Sequence, residues 1–279
     1  AYKKAVANFF LFMRLMIDEL PDDFVLVDYW AGEFINACWQ EGEPVGYAGH
    51  LISGLSRFLP QIRRHLPTAR QYLSNWQRIK PVKRVPPLTF LCVQAMCAAA
   101  AKVGRWDLAV TLMTAFLFFL RTTEFLALSW DCIRISPDVA QVAIALPNTK
   151  TSGRKQAMES LRIKDVRLVK LLEKAKGCGA GPRLFNGSGQ DFRNEFQAVL
   201  KALGLAGLGF QPYSLRRGGA THFFTKTSSL DATVVRGRWK DAKTARIYLD
   251  DAVAWQVQWQ LPEEVQNVIV ELADFWTEW

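Results

Sequence analysis

The sequence predicts a mainly α-helical protein of two domains, with a small three-stranded antiparallel sheet set into the second. Apolar residues recur at helical spacing through most of the chain, the period switches to two over roughly thirty residues in the middle, and a run of prolines and basic residues interrupts the pattern near residue 85. The chain has 279 residues, half of them apolar and 22% charged, which is enough for a sizeable core and excludes a disordered tail or a collagenous repeat.

The first domain, 1–80, is predicted from four helical stretches. They run through Phe9, Phe10, Phe12, Met13 and Met16; through Phe34, Ile35 and Cys38; through Leu51, Ile52, Leu55, Phe58 and Leu59; and from about Thr68 to Ile79. Residues 81–87, Pro81-Val82-Lys83-Arg84-Val85-Pro86-Pro87, form a basic linker, because three prolines deny helix continuation. The second domain, 88–279, opens with long buried helices over Leu88–Gly104 and Trp106–Leu120 and a short one over Thr122–Leu128. Strands are expected over Cys132–Ile135, Val139–Leu146 and Gln156–Ile163, separated by Ser136-Pro137-Asp138 and by Asn148-Thr149-Lys150-Thr151-Ser152-Gly153. Helices then return over Val166–Lys176, Asp191–Leu203, Ser214–Lys226, Leu230–Arg236 and Ala242–Leu249. A last helix, 262–279, opens at Pro262 and Glu263 and carries an apolar stripe of Val265, Val268, Ile269, Leu272, Phe275 and Trp276. That stripe either packs within the chain or docks onto a neighbouring protomer.

Several function classes lose support on counting. The apolar run Leu108–Leu120 falls short of the roughly 20 residues that span a bilayer, and the first twenty residues do not read as an export signal. Five cysteines without a CxxC pair argue against a disulfide framework or a zinc ribbon, so an intracellular, reducing setting is expected. The three histidines, His50, His65 and His222, have no metal-ligand spacing and are read as structural or surface groups. P-loop, GxGxxG and GxSxG motifs are absent, and Gly177-Cys178-Gly179-Ala180-Gly181 reads as a loop, so no cofactor is predicted.

The charge map points to a polyanion. Between Glu43 and Asp107 there is no acidic residue, although about six are expected at the overall frequency. The interval holds Arg57, Arg63, Arg64, Arg70, Arg78, Lys80, Lys83, Arg84, Lys102 and Arg105. Nucleic acid is the leading partner, ahead of a solvated face and of a membrane surface. Phe58, Tyr72 and Trp76 interleave with these charges at helical spacing and are read as core rather than base-stacking platforms.

A second set of residues sits at structural junctions. Arg121 follows a thirteen-residue apolar run and opens a helix, where a charge is costly unless it faces a site or a partner. Lys150 lies on the turn between the second and third strands, Tyr213-Ser214-Leu215-Arg216 begins a helix, and Gly218-Gly219-Ala220 permits close backbone approach. Trp239 and Tyr248 follow, nine residues apart. Singly each is ordinary: such an arginine usually caps or pairs, and such aromatics usually pack.

As an ordered set around a three-stranded insertion, behind a basic all-α unit, they resemble the tyrosine recombinase (phage integrase) family over nearly the whole chain. The resemblance implies a two-domain, C-shaped DNA clamp, with a core-binding domain followed by a catalytic domain. It implies that Arg121 and Arg216 clamp the scissile phosphate, Lys150 protonates the leaving 5′ oxygen, Trp239 supports the phosphate and Tyr248 is the nucleophile, with Glu124 accompanying the first arginine. Tyr213 stands where the family most often has histidine, and a phenol of reference pKa about 10 is a poor proton acceptor at neutral pH. The Gly237-Arg238-Trp239 wording resembles recombinases of eukaryotic mobile elements, the Crypton and DIRS types, which would place the protein in a nucleus.

The expected function is site-specific recombination of double-stranded DNA through a 3′-phosphotyrosine, independent of metal and ATP, with four protomers assembling around two sites. DNA contacts are expected from Arg57, Arg63, Arg64, Arg70, Arg78, Lys80, Lys83 and Arg84. The alternatives are a type IB topoisomerase-like enzyme that relaxes DNA as a monomer, and a catalytically silent DNA-binding protein of the same fold.

Overall fold

Apolar residues at intervals of three and four fold the start of the chain into α1 (Tyr2–Met16), α2 (Phe24–Gln40), α3 (Val45–Phe58) and α4 (Pro67–Ile79), with a 3-10 turn over Pro60–Arg64. The computed structural model describes the chain apart from residues 82–83, 148–158, 180 and 278–279 and the side chains of 275–277. It divides into two units, Ala1–Arg84 and Val85–Trp279.

In the first unit Phe9 and Met13 of α1 meet Ile35 of α2 and Leu51 and Leu55 of α3, with Ile62 and Trp76 closing the core. Trp76 is buried and Tyr72 packs against the same core, but Phe58 is exposed, against its expected core role. A buried carboxylate joins two of the helices. Asp28 on α2 accepts from the backbone N–H groups of Thr68 at 2.8 Å and Ala69 at 2.9 Å. These are donors of the first turn of α4 that no helical carbonyl can satisfy, and Pro67 before them brings no N–H. Outside the core Arg57, Arg63, Arg64, Arg70, Arg78, Lys80 and Arg84 are all exposed, whereas Lys83 lies outside the described residues. Arg57, Arg63 and Arg70 converge on a shallow depression of about 490 Å³, where the Arg70 guanidinium donates to the Arg63 carbonyl at 2.8 Å.

The second unit is built on α5 (Phe90–Lys102) and α6 (Trp106–Leu117), both buried nearly all round, with Gly104 at φ 76° turning the chain between them. Helix α6 ends before the predicted Leu120, because Phe119 adopts a left-handed backbone (φ 51°) and turns Leu120 and Arg121 out of the helix. The short α7 (Thr122–Leu126) follows. The sheet is the expected meander, β1 (Ile133–Ser136), β2 (Gln141–Leu146) and β3 (Glu159–Lys164), antiparallel in that order. Registers pair Ile133 with Ile144 and Val142 with Ile163, so the central strand buries Val142, Ile144 and Leu146 on one face. Strand β2 begins two residues later than predicted, since Pro137–Val139 coil into a 3-10 turn and Ala140 is left-handed. The expected start of the third strand at Gln156 lies outside the described residues.

The remaining helices are α8 (Val166–Gly177), α9 (Gly189–Ala202), α10 (Tyr213–Thr227), α11 (Leu230–Gly237), α12 (Ala242–Arg246), α13 (Asp251–Trp259) and α14 (Glu263–Thr277). Two corrections bear on the site. Helix α12 stops at Arg246, so Tyr248 lies beyond it rather than on it, and α13 was not predicted at all because it buries only Ala254. Of the two readings of the terminal helix, the intramolecular one is observed: Ile269 is buried and Val265 and Leu272 pack on the core that contains α5. Among the described residues no helix is long and apolar enough to cross a membrane.

Replacing Asp28 with alanine removes the cap of α4 and leaves one buried and one half-buried N–H group without their acceptor, which should cost about 2 kcal/mol. Urea unfolding followed by far-ultraviolet circular dichroism should show a lowered midpoint, and Asp28→Asn, which keeps one acceptor oxygen, should lose less.

Candidate active site

The site is organised by a close crossing of α10 over α6 and the segment before α5. A Cβ on Gly218 would meet the Leu88 carbonyl oxygen at 2.0 Å, and one on Gly219 the Phe116 carbonyl oxygen at 1.9 Å. Glycine is therefore required at both positions, and the contact seats Arg216 beneath the turn that ends α6.

Arg216 has no exposed surface. Its guanidinium donates through Nη1 to the Phe119 carbonyl and through Nη2 to the Gly237 carbonyl at 2.7 Å. Its carbon Cζ lies 4.9 Å from the Trp239 ring centre and 5.6 Å from that of Tyr248, over the electron-rich faces. Burial first, and then the charges of Arg121 and Arg238, lower its pKa to about 10, which leaves it charged at neutral pH. The buried Nε has no hydrogen-bond partner among the described residues, nor has the buried indole Nε1 of Trp239. Both donors stand beside the Tyr248 ring, which lies 4.7 Å from that of Trp239.

Arg121 reaches the same place from the N-terminus of α7. Its backbone N–H donates to Glu124 Oε2 at 2.8 Å and its Nη1 to Oε1 at 2.5 Å. Glu124 is buried, and its Oε2 also accepts from Arg238 Nη2 at 2.7 Å. Burial raises its pKa, but the hydrogen bond and charge of Arg238, together with the Arg121 N–H and charge, outweigh burial and hold the carboxyl below its ordinary value.

Tyr248 is fixed by its backbone. Its carbonyl accepts from Thr221 Oγ1 at 3.1 Å, and Arg217 reaches the neighbouring Ile247 carbonyl and Asp250, each at 3.4 Å, while its Nη1 donates to the Val85 carbonyl. Its hydroxyl accepts from Tyr213 at 2.6 Å. In this pair burial raises both phenols. The hydrogen bond given by Tyr213 and the charge of Arg216 more than reverse this for Tyr248, which falls below the ordinary tyrosine value, whereas Tyr213 is pushed up to about 12. The pair is polarised: Tyr213 keeps its proton as donor and Tyr248 is the one that ionises.

The structure thus brings Arg121, Glu124, Tyr213, Arg216, Trp239 and Tyr248 together, and Lys150 lies outside the described residues. The basic residues Arg57, Arg63, Arg64, Arg70, Arg78 and Lys80 belong to the first unit. Sequence reasoning missed Arg217, Arg236 and Arg238. Arg236 supports the floor: it donates to the Leu117 carbonyl at 3.2 and 2.8 Å and lies 4.5 Å from the Phe223 ring centre. Only the density of arginine between Arg216 and Arg238 pointed to them. Half-buried His222 stacks on Phe90 at 4.6 Å, with a pKa lowered by burial and by Lys226 and Arg236, in keeping with a structural role.

No family model matches the sequence, and no curated protein matches it. Solved structures do. A lambda integrase dimer bound to a COC′ core site aligns at 19% identity over 89% of this chain and 89% of that one, with a TM-score of 0.59. The Tn1549 transposon integrase in complex with transposon right end DNA aligns at 12% identity over 92% of each chain, with a TM-score of 0.63. The fold is that of the tyrosine recombinases. The XerA recombinase aligns as well, at 12% identity over 92% of this chain and 98% of that one, with a TM-score of 0.50. Within the tyrosine-recombinase fold of this chain, four separated segments, ending in Arg121, Arg216, Trp239 and Tyr248, meet in one cluster.

Tyr213→Phe removes the donor to Tyr248 and should raise the Tyr248 pKa toward the ordinary value. A tyrosinate absorbance titration, with Tyr248→Phe as reference, should show the earliest-ionising phenol of the wild type move to higher pH in Tyr213→Phe and vanish in the reference.

Proposed function

We propose that the chain is a site-specific DNA recombinase that cuts and rejoins duplex DNA through a 3′-phosphotyrosine. The observation that carries this is the placement of a polarised phenol, Tyr248, directly beside the buried guanidinium of Arg216, with Arg121 close enough for its charge to act on both. In the reaction the Tyr248 oxygen attacks phosphorus and a new P–O bond forms. The P–O bond to the 5′ oxygen breaks, and that oxygen leaves with a proton, which the family resemblance assigns to Lys150. Attack by a 5′-hydroxyl on the phosphotyrosine reverses the step. The phosphodiester energy is kept in the phosphotyrosine, so rejoining needs no nucleotide triphosphate.

Negative charge grows on the non-bridging oxygens as the phenol attacks. Two fixed guanidiniums stabilise it through forked hydrogen bonds, and the indole N–H of Trp239 adds a further donor. The Nε of Arg216, without a hydrogen-bond partner among the described residues, is a donor already desolvated before substrate arrives. Arg216 is wholly covered here, so the phosphate gains access to it only when the Tyr248 ring shifts from its face.

The first unit supplies affinity in this reading. Its exposed arginines come from a stretch of sequence with no acidic residue between Glu43 and Asp107, suited to phosphate contacts that carry no sequence information. Four protomers on two sites would exchange strands. A monomer with the same chemistry would relax a supercoiled plasmid instead, and a two-site substrate separates these outcomes.

A duplex nicked next to the scissile phosphate, so that the released strand diffuses away, should trap the wild-type protein covalently. Tyr248→Phe should bind the same duplex and form no adduct, and Arg216→Ala should slow adduct formation by about a hundredfold or more, the loss of about 3 kcal/mol expected for one fixed donor. Absence of adduct with bound wild-type protein would favour the catalytically silent reading. Replacing both Arg63 and Arg70 with alanine should weaken binding to all sequences alike and flatten the salt dependence, by about two in the log–log slope if each meets one phosphate.

A further inference from the structure

Arg238 has no part in the chemistry described above, yet its conformation is costly. It caps α11 in the left-handed region, at φ 55° and ψ 40°, where a residue with a Cβ is disfavoured and glycine is at ease. Its side chain is only 10% exposed, and Nη2 lies 2.7 Å from Glu124 Oε2 while Nη1 lies 3.3 Å from Glu159 Oε2. Placing a glycine at this position would relieve the backbone but leave the buried carboxylate of Glu124 with Arg121 as its only ion-pair partner among the described residues.

The geometry of that carboxylate explains what the side chain does. A carboxylate facing one arginine prefers the forked arrangement, with two parallel N–H donors on its two oxygens. Here the fork is prevented. Arg238 and the Arg121 backbone N–H occupy Oε2, so the Arg121 guanidinium bonds through Nη1 to Oε1 alone. The rest of the Arg121 guanidinium, a third of whose side chain is exposed, is left to face outward. Glu124 therefore orients Arg121 without consuming its donors.

We propose that Arg238 is a positioning residue for Arg121: by holding the second oxygen of Glu124 it keeps the Arg121 guanidinium turned outward and available to an anion, which on the function proposed above is the scissile phosphate. The three residues form a relay, Arg238 to Glu124 to Arg121, in which the outermost group never touches the substrate. Gly237 and Trp239 on either side serve the other arginine, one through its carbonyl and one through its ring, so the tripeptide Gly237-Arg238-Trp239 sets both guanidiniums.

The test compares Arg238→Gly, which relaxes the backbone, with Arg238→Lys, which keeps a charge but cannot fork. Each is assayed for DNA binding and for the single-turnover rate of covalent adduct formation. Two nicked duplexes are used, one with an ordinary phosphodiester and one with a methylphosphonate, which lacks one charged non-bridging oxygen. Expected for Arg238→Gly is binding within about twofold of wild type, adduct formation slowed at least about tenfold on the phosphodiester, and a smaller loss on the methylphosphonate, since less charge has to be clamped. Arg238→Lys should fall between Arg238→Gly and wild type. In an Arg121→Ala background the Arg238→Gly change should cost nothing further, because its effect passes through Arg121. Equal slowing on both duplexes, or full additivity with Arg121→Ala, would overturn the proposal in favour of a purely structural strap, and so would wild-type rates in Arg238→Gly. Should Arg238→Gly not fold, the same criteria applied to Arg238→Lys decide. Wild-type protein that binds both duplexes and forms no adduct would instead reject the recombinase function, a different result from wild-type protein that reacts while the variants are unaffected.

Discussion

The second unit is arranged around a guanidinium that has no business being buried. Arg216 is removed from water completely, and among the described residues no ion pair includes it. An isolated charge in such a setting is expensive, and two backbone carbonyls and two aromatic faces offset only part of the cost. Both carbonyls come from places where the chain is forced into an unusual path. Phe119 is left-handed, and Gly237 precedes left-handed Arg238 and tolerates no Cβ, which would lie 1.9 Å from the Trp239 ring. Strain of this kind persists where surrounding structure over-determines it, and here it aims two dipoles at one cation.

The charge that these dipoles leave uncompensated has a consequence for binding. Arg121, Arg216 and Arg238 sit around the buried carboxylate of Glu124, and after burial the charges of Arg121 and Arg238 lower the pKa of Arg216. The cluster is positive in excess and already desolvated. On the proposed function, once the Tyr248 ring has moved from the Arg216 face, an anion meets charges already fixed in place, which is the condition under which such groups act most strongly on a developing negative charge.

The parts of this arrangement legible in the sequence are those in which a residue type is unusual for its local setting. An arginine after a thirteen-residue apolar run, a pair of glycines one turn into a helix and a meander between helices each break a local rule; Arg121 opens its helix and Gly218 and Gly219 make their close approach as expected, and the meander is present with shifted strand ends. What stayed hidden depends on distant partners. Asp28 caps a helix forty residues on, Arg217 ties the Tyr248 segment to Val85, and Arg238 works through a carboxylate on another helix. Element ends were misjudged for the same reason: α6 stops at a left-handed phenylalanine that propensity cannot foresee, and α12 stops short of Tyr248 because Thr221 and Arg217 hold the following backbone. Val265, Ile269 and Leu272 of the α14 stripe pack on the core whereas Val268 is exposed, and periodicity carries no information on whether the partner is the same chain.

Tyr213 sharpens the electrostatic argument. A phenol in its place is a poor base, and the direction of the hydrogen bond makes it a donor to Tyr248 rather than an acceptor. On the proposed function, activation of the Tyr248 hydroxyl then rests on stabilising its ionised form rather than on a neighbouring base. The two routes place demands on different groups. A base must be poised near neutral pH, whereas stabilisation needs only a fixed donor and a nearby positive charge, and Tyr213 with Arg216 provides both. The proton itself can pass to solvent, since neither phenol is fully buried. The buried guanidinium that clamps the anion on this view also prepares the nucleophile, so that loss of Arg216 would damage attack and charge stabilisation together, and loss of Tyr213 would damage attack alone.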